Sequence, residues 1–264
     1  MADIRLADIS EWQPNFDAPA YLKSHACIIL RSHSGNRPDK MFPARRDYVR
    51  KYNFTAVGYY QYMVASRSAT DQANDFVKAL GPLKANEFAV IDSEEGSGSQ
   101  VQRCEDWCKI VDKQYGQPSV IYASESWFKD KLGGVDRWKG RARWIAAYRS
   151  TEPTVAHELW QNTDSASFPG LGSPIDGNLF HGTAQEFLTK MRGSASSPAP
   201  PKPPPGAKEE DVVAILKQDG RIVLFVQKAN GQVMQAYQTS VNGPWKGADE
   251  TKKAKWYGLG NPGK

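Results

Sequence analysis

The chain has 264 residues, 40% of them hydrophobic and 24% charged, which is enough to bury a sizeable core. A mean hydropathy of −0.60, without any apolar run near ~20 residues, excludes a membrane-spanning helix. The net charge of +5 is uneven: residues 1–192 carry 24 basic and 23 acidic side chains, whereas residues 193–264 carry 10 and 6. The basic C-terminal part predicts an anionic partner, which could be nucleic acid, a membrane surface or an anionic wall polymer. The alternative is a merely solubilising surface.

The start of the chain and its cysteines predict where the protein is made. Residues 1–5 contain neither a basic n-region nor an apolar h-region, so no ordinary secretory signal is visible. The three cysteines, Cys27, Cys104 and Cys108, are too few for a disulfide framework. We therefore expect synthesis in a reducing cytoplasm, and release by a route other than a signal peptide if the protein acts outside the cell.

Through residues 1–192, short β-rich runs alternate with helical patterns. The predicted strands are Ile4–Ile9, Cys27–Arg31, Ala56–Tyr62, Phe88–Asp92, Ser119–Tyr122, Trp144–Ala147, Glu158–Gln161 and Asn178–Phe180. The predicted helices are Arg45–Tyr52, Thr70–Leu80, Val101–Tyr115 and Ser126–Leu132. This alternation favours an α/β parallel sheet or barrel. Because the last strands leave little room for helices, we predict an irregular barrel that lacks helices in its second half.

A proline-rich segment follows this region. Residues 193–206 contain six of the 17 prolines, and proline fixes φ and disfavours helix in its predecessor. Residues 193–208 are therefore predicted to be an extended linker. In residues 209–264, Asp219-Gly220 and Asn230-Gly231 are hairpin signals between β-rich runs. The sequence thus predicts a barrel domain (1–192), a linker and a small all-β module.

Acidic side chains stand at the ends of predicted strands. Asp92 and Glu94 end the fourth strand at positions i and i+2, so both point to the same face. Asp8 ends the first strand and Asp176 comes just before the last, and in a barrel the strand ends meet at the mouth. Acids that converge there raise one another's pKa and keep one carboxyl protonated, as cleavage of a glycosidic bond requires. The alternative is that they cap helices or pair with arginines.

Other chemistries have less support in the sequence. Acid clusters that hold a metal normally recruit histidine, but none of the four histidines adjoins these acids or forms an HxH pair. The sequence contains no G-x-S-x-G elbow, Walker loop or G-x-G-x-x-G motif. Metal, serine-hydrolase and nucleotide chemistry therefore lack support, and we expect no metal and no cofactor. We also expect no nucleic-acid partner.

Aromatic side chains gather beside the same strand ends. Their flat faces suit pyranose rings, and their hydroxyl and indole N–H groups reach sugar oxygens, although such rings on strands often only fill the core. Together with Gln161, the predicted substrate-binding residues are Trp12, Tyr60, Tyr62, Tyr122, Tyr148 and Trp160.

Seven segments follow one another along the chain: Asp8-Ile9-Ser10, Gly58-Tyr59-Tyr60-Gln61-Tyr62, Asp92-Ser93-Glu94, Ile121-Tyr122, Trp144-Ile145-Ala146-Ala147-Tyr148, Leu159-Trp160-Gln161 and Asp176-Gly177-Asn178-Leu179-Phe180. In this order they resemble glycoside hydrolase family 25, the N-acetylmuramidases (lysozymes) common among bacteriophage endolysins. The chain departs from the family pattern at Gln61, where a histidine is usual. This departure puts a hydrogen bond in the cleft in doubt.

The resemblance implies an irregular (β/α)5β3 barrel that hydrolyses the β-1,4 bond between N-acetylmuramic acid and N-acetylglucosamine in bacterial peptidoglycan. It implies Glu94 as general acid, with Asp8, Asp92 and Asp176 as supporting carboxylates, and leaves retaining, inverting and substrate-assisted routes open. An endolysin is made in the host cytoplasm and acts on the cell wall after release. The alternatives are a non-catalytic wall-glycan-binding protein and a chitin-directed glycosidase.

The C-terminal module resembles one repeat of a lectin-type β-propeller, in segments 219–226 and 231–240, followed by Trp245 and Gly258-Leu259-Gly260. After a linker in an endolysin, such a module is expected to bind the wall, including anionic wall polymers. Because a lone blade cannot bury both of its faces, we expect a homo-oligomer formed through this module. The alternative is a small all-β appendage packed against the barrel.

Overall fold

The computed structural model describes residues 3–172 and 174–193, together with the backbone of four further strands within residues 212–249. The chain forms two compact units, Met1–Ala195 and Ser196–Lys264. The predicted linker beyond Gly193 and both hairpin signals of the C-terminal module lie outside the described residues. Within the described parts of the chain, no helix is both long and apolar enough to cross a membrane.

The described residues of the first unit form nine strands and six helices. The strands are β1 (Ile4–Ile9), β2 (Cys27–Ser34), β3 (Arg37–Pro38), β4 (Ala56–Tyr62), β5 (Glu87–Asp92), β6 (Val120–Ser124), β7 (Arg143–Ala146), β8 (Leu159–Ala166) and β9 (Ile175–Phe180). The helices are α1 (Ala18–Leu22), α2 (Phe42–Val49), α3 (Ala69–Leu80), α4 (Val101–Tyr115), α5 (Glu125–Asp130) and α6 (Ala184–Met191), with a 3-10 turn at Val135–Trp138.

Eight of these strands form a closed barrel. Their order is β1-β9-β8-β7-β6-β5-β4-β2, and β2 pairs with β1 to close the ring, while β3 pairs only with β2. Neighbouring strands are parallel except at β9, which runs antiparallel to both β8 and β1. Five strand–helix units followed by three strands make a (β/α)5β3 barrel, and the predicted fold class is confirmed.

Local sequence signals explain where the covering helices begin and end. α3 begins after Ser68, whose hydroxyl accepts a hydrogen bond from the Asp71 N–H. It ends at Gly81, which has a φ of 62° that glycine adopts without strain. α6 begins with a capping box in which Thr183 and Glu186 satisfy each other's backbone N–H groups.

The core has two layers, one on each side of the barrel wall. Leu6, Phe88 and Val90 belong to the cluster inside the barrel, whereas Ala89 and Ile91 belong to the cluster between the barrel and its helices. A single strand supplies both layers because successive side chains point to opposite faces. Polar side chains then occupy the inward positions at the carboxyl end, where this interior layer stops.

The second unit is described by its backbone alone. Its described residues form β10 (Val212–Gln218), β11 (Arg221–Gln227), β12 (Val233–Gln238) and β13 (Trp245–Asp249). These strands pair antiparallel in chain order, so β10 and β13 are the edges of the described sheet. The described backbone of this unit is therefore all-β.

Candidate active site

Four acidic residues meet at the carboxyl end of the barrel. β1 and β5 bring Asp8 and Asp92 to this end, and Glu94 follows two residues beyond β5. Asp176 reaches the same end because β9 runs antiparallel, so this strand starts where its neighbours finish. Asp176 is the direct cross-strand partner of Asp8. The last strand is longer than predicted and begins at Ile175, so Asp176 lies within it.

Two side-chain amides hold the carboxyl group of Asp8. Asp8 is only 4% exposed, and its Oδ2 accepts hydrogen bonds from Gln161 Nε2 at 2.9 Å and from Asn178 Nδ2 at 2.7 Å. Burial and then the charge of Asp176 raise the pKa of Asp8 to about 8, against the opposing effect of the two amides. Near neutral pH, these surroundings favour the protonated form of Asp8.

A further set of side chains orients those two amides. The hydroxyls of Tyr122 and Tyr148 both donate to Oε1 of Gln161, at 2.7 and 2.9 Å. The Trp144 indole donates to Oδ1 of Asn178 at 2.7 Å. Because each amide oxygen is occupied, each NH2 group is turned towards the buried carboxyl group on β1. Gln161, which was predicted to bind substrate, therefore uses its amide within the protein, and Asn178 and Trp144 are additions to the predicted site.

Asp92 and Glu94 share a face but differ in exposure. Asp92 is 5% exposed, and among the described residues its buried Oδ1 has no hydrogen-bond partner. Burial, followed by the charges of Glu94 and Asp8, raises the pKa of Asp92 well above its usual range, while Arg31 opposes this shift. Glu94 reaches solvent, but the walls around it remove part of its hydration and raise its pKa too. Because the charge of Glu94 is one cause of the raised pKa of Asp92, the ionisation of Asp92 depends on that of Glu94.

Asp176 completes the acid cluster. Burial and the charges of Asp164 and Glu94 raise the pKa of Asp176 to about 6. A set of carboxyl groups with raised and unequal pKa values lets one act as a proton donor while another stays ionised. Within residues 3–172 and 174–193, no group of three or more His, Cys, Asp or Glu side chains is arranged to hold a metal ion.

A cavity of about 410 Å³ opens beside Glu94. Its other lining residues are Tyr122, Ser124, Trp127, Ala146 and Tyr148. Tyr148 is 55% exposed, whereas Tyr122 is 6% exposed and supports the wall. Ser124 and Trp127 are not among the predicted residues. Ser124 is the last residue of β6 and caps α5, and Trp127 lies in the first turn of that helix.

The Glycosyl hydrolases family 25 model matches residues 7–171, a segment that includes Asp8, Asp92 and Glu94. The chain belongs to this family. It is therefore a glycoside hydrolase. A curated relative, Uncharacterized protein YegX of Escherichia coli (strain K12), is 26% identical over 204 residues, which cover 72% of this chain and 74% of the relative.

Solved structures share the barrel of this family 25 hydrolase. The bacterial lysozyme from Streptomyces coelicolor has a TM-score of 0.65 at 21% identity, over 73% of this chain and 98% of that one. The catalytic domain of endolysin ply40 from bacteriophage P40 of Listeria monocytogenes has a TM-score of 0.62 at 27% identity, again over 73% and 98%. A family 25 glycosyl hydrolase from Bacillus anthracis has a TM-score of 0.64 at 20% identity, over 71% and 93%.

The remaining predicted aromatic residues occupy different positions. Tyr60 lies on the inner face of β4, where its ring meets that of Trp144 edge-on at a centroid distance of 6.4 Å. Tyr62 lies two residues further along the same face, in register with Asp92. Trp12 is in the loop after β1 and is 74% exposed. The structure thus brings Tyr60 and Tyr62 to the acids and leaves the Trp12 ring in solvent.

Trp160 and Gln61 lie outside the cleft. Trp160 is 5% exposed, and its indole donates to the Ala147 carbonyl at 2.8 Å, on the face of β8 opposite to Gln161. Gln61 is completely buried and accepts a hydrogen bond at 2.7 Å from Trp107 of α4, which covers the outside of the barrel. Gln61 therefore does not reach the cleft, which agrees with the doubt that its departure from the family pattern raises about a hydrogen bond there.

Proposed function

We propose that this glycoside hydrolase cleaves the β-1,4 bond between N-acetylmuramic acid and N-acetylglucosamine in bacterial peptidoglycan, with Glu94 as general acid. The position of Glu94 carries the proposal: it lies on the wall of an aromatic-lined cavity, and its pKa is raised. A general acid must hold its proton near the working pH and reach the leaving oxygen. Glu94 is the most accessible of the four acids, since Asp8 and Asp92 are buried and Asp176 is half-buried.

The other three acids support the reaction in this proposal. Asp92 is on the same face as Glu94, and in its ionised form it stabilises the positive charge that develops at the anomeric carbon. Gln161 and Asn178 both donate to Oδ2 of Asp8 and so fix the orientation of this carboxyl group. Its Oδ1 then contacts the substrate. Asp176 lies beside Asp8 and adds to the negative field of the mouth.

Two further observations support a glycan substrate. The 410 Å³ cavity beside Glu94 lies in the size range of small-ligand pockets. The exposed Tyr148 ring offers an apolar face, while its hydroxyl is tied to Gln161 and keeps the ring in place. The names of structural relatives, a lysozyme and a phage endolysin, agree with a peptidoglycan substrate.

Replacing Glu94 with Gln tests the assignment of the acid. Gln is nearly isosteric but has no proton to donate, so hydrolysis of purified walls should fall by about two orders of magnitude or more. The matched control is Glu95→Gln: Glu95 is the next residue, and its carboxylate accepts the Ala65 N–H at 3.0 Å and does not line the cavity. Clearing of a wall suspension is the measurement, and near-normal clearing by the Glu94 variant would rule out this assignment.

Analysis of the new reducing ends identifies the bond that is cut. Borohydride reduction of digested peptidoglycan should convert muramic acid residues, because a muramidase leaves the reducing end on that sugar. Reduced glucosamine instead would rule out the muramidase proposal. Release of no ends by a protein that still binds walls would favour a non-catalytic binder, and cleavage of chitin oligosaccharides at an equal rate would favour a chitin-directed enzyme.

We further propose that the protein acts as a phage endolysin, made in the host cytoplasm and active on the wall after release. Two observations support this role. The barrel is 27% identical to the endolysin ply40 domain. The three cysteines are free and buried, which suits a reducing compartment. Bacteria that express the protein should lyse when a membrane-permeabilising agent is added and grow normally without it. Lysis without the agent would contradict cytoplasmic retention.

A further inference from the structure

The connection between β7 and β8, residues 147–158, contains neither helix nor strand. We call it the strap. Near its start, Tyr148 lines the 410 Å³ cavity beside Glu94 and donates to Gln161 at 2.9 Å. Because β7 and β8 are parallel, the strap crosses from the carboxyl end of the barrel, where β7 finishes, to the opposite end, where β8 begins. The position of the strap therefore affects one wall of the candidate active site.

Backbone hydrogen bonds hold the strap only near its ends. The Ala147 N–H donates to the Gln161 carbonyl at 3.0 Å, and the Glu158 N–H donates to the Arg143 carbonyl at 2.9 Å. Among the described residues, no N–H group of residues 150–157 donates to a backbone carbonyl. Side-chain contacts therefore decide how often this middle part of the strap opens.

Two histidines hold the carboxylate of Glu152 in the middle of the strap. Its Oε1 lies 3.0 Å from Nε2 of His157, and its Oε2 lies 3.0 Å from Nε2 of His181, which follows β9. The second ring nitrogen of His157 is 2.8 Å from the Val155 carbonyl, and that of His181 is 3.1 Å from Oδ2 of Asp3, just before β1. We call Glu152, His157 and His181 the clasp. It ties the strap to the ends of two barrel strands.

The clasp makes all of these contacts only when both rings are protonated. Each of the four ring nitrogens faces a carboxylate or a carbonyl oxygen, and these groups only accept hydrogen bonds. A neutral imidazole donates from one nitrogen and presents a lone pair at the other, whereas an imidazolium donates from both. Each histidine therefore loses one favourable contact when it releases its proton.

The charged groups that face the two rings are acidic. Asp3 and then Glu152 raise the pKa of His181. Glu152 also faces His157, whose side chain is 10% exposed. A histidine with a raised pKa stabilises the closed clasp fully below its ordinary value of about 6.5, and this effect is lost as pH rises through the higher value of the folded protein.

A third acid near the clasp is already neutralised. Glu158, the neighbour of His157, lies 2.8 Å from the guanidinium of Arg143 on β7. It therefore does not compete with Glu152 for the histidine protons.

We propose that the clasp is a pH-sensitive fastening that holds the strap, and with it the Tyr148 wall of the cavity, while both histidines are protonated. When the protons leave, each ring keeps one of its two contacts and the middle of the strap opens more often. A sugar in the cavity then loses part of its contact with Tyr148, so KM rises. This last consequence rests on the proposed function, in which the cavity binds the glycan.

Titration of the imidazole rings by NMR tests the clasp without any activity. The chain has four histidines, so single His→Gln variants assign their signals. Glu152→Gln is nearly isosteric but uncharged, and the titration midpoint of His181 should fall by about 0.2–0.7 pH units, the usual size for an exposed ion pair. The matched control is Glu105→Gln, which removes an exposed carboxylate that pairs with Arg137 instead. An unchanged His181 midpoint in the Glu152 variant would overturn the proposal.

The effect on substrate binding is measured by comparing two proteins at the same pH, so that titration of the four site acids cancels. His157→Gln combined with His181→Gln removes both charges at every pH. At pH 5.5 the KM of this double variant for soluble peptidoglycan fragments should exceed that of the unaltered protein by at least about threefold. At pH 8 the clasp is open in both proteins, so the ratio should approach one.

His25→Gln is the matched control for the kinetics. His25 contacts Ser24 at 2.9 Å and is no part of the clasp, so its KM ratio should stay near one at both pH values. A KM ratio for the double variant that is the same at pH 5.5 and pH 8 would overturn the proposal. If the digested walls contain reduced muramic acid but His181 does not respond to Glu152→Gln, the clasp proposal alone fails. If the clasp responds and no muramic acid is reduced, the proposed function fails instead.

Discussion

The protonation of Asp8 has a consequence for stability. The pKa of Asp8 is raised to about 8 by burial and by Asp176, whereas an unfolded aspartic acid titrates near 4. Between about pH 4 and pH 8, the folded state therefore keeps a proton on Asp8 that the unfolded state has already released. Over this range the folded state binds more protons than the unfolded state. The free energy of unfolding therefore falls as pH rises.

Asp8→Asn should therefore stabilise the protein at pH 8 and change little at pH 4. Asparagine is neutral at both pH values and its oxygen still accepts from Gln161 and Asn178. The expected gain at pH 8 is on the order of a few kcal/mol, from about 1.4 kcal/mol for each unit of pKa shift. Denaturant unfolding at the two pH values measures it.

The exposed Asp130 at the end of α5 provides the control. Asp130→Asn should alter the free energy of unfolding by no more than about 0.5 kcal/mol at either pH. An equal gain for Asp8→Asn at pH 4 and pH 8 would mean that ionisation of the buried acid is not the cause.

The acids of the site were predictable, but the side chains that hold Asp8 were not. Asp92 and Glu94 stand out because two carboxyl groups at the end of an apolar strand must share a face. Asn178 and Trp144 lie within strands, where an amide or an indole could equally face solvent or core. Only the closed barrel brings Asn178 within 2.7 Å of a carboxyl group 170 residues earlier in the chain.

At the scale of elements, the narrow interior of the barrel explains why position 58 of β4 is a glycine. A Cβ at this position would lie 2.7 Å from the Phe88 ring and 2.9 Å from Ile29 Cγ1. Gly58→Ala should therefore lower the free energy of unfolding by about 1–3 kcal/mol, the usual effect of overpacking a core. Urea unfolding measures the loss.

Gly140→Ala is the matched substitution, because no heavy atom lies within 4 Å of the Cβ that it adds. The expected change is about 0.5 kcal/mol or less. Equal losses at Gly58 and Gly140 would show that interior packing is not the reason for glycine at position 58.

Strand positions were easier to predict from the sequence than helices. The apolar runs of β1 and β4 have the predicted bounds, because period-2 alternation ends sharply at polar turns. α1 and α6 were missed. α1 has only five residues, too few to show a helical period, whereas the capping box of α6 was a usable signal in Thr183 and Glu186. The sequence predicts that the last barrel strand begins at Asn178, whereas β9 begins at Ile175. The difference arises because Gly177 interrupts the β-rich run.

At the scale of the whole molecule, we propose that the C-terminal unit binds the wall. Residues 193–264 carry 10 basic and 6 acidic side chains, which suits an anionic wall polymer. The described sheet has two edge strands, β10 and β13, and unpaired strand edges favour addition of a further strand. Self-association through these edges would bring several basic units to one surface, and multivalency raises overall affinity without new contacts.

Removal of residues 193–264 should therefore weaken wall binding and abolish self-association together. The shortened protein keeps the closed barrel and the acid cluster, so it should still cleave soluble glycan fragments. The full chain should scatter light with a mass above 29.3 kDa and sediment with walls most strongly at low salt, where exposed charges are least screened. A monomeric full chain at micromolar concentration would contradict self-association, and equal wall binding by both proteins would contradict the binding role.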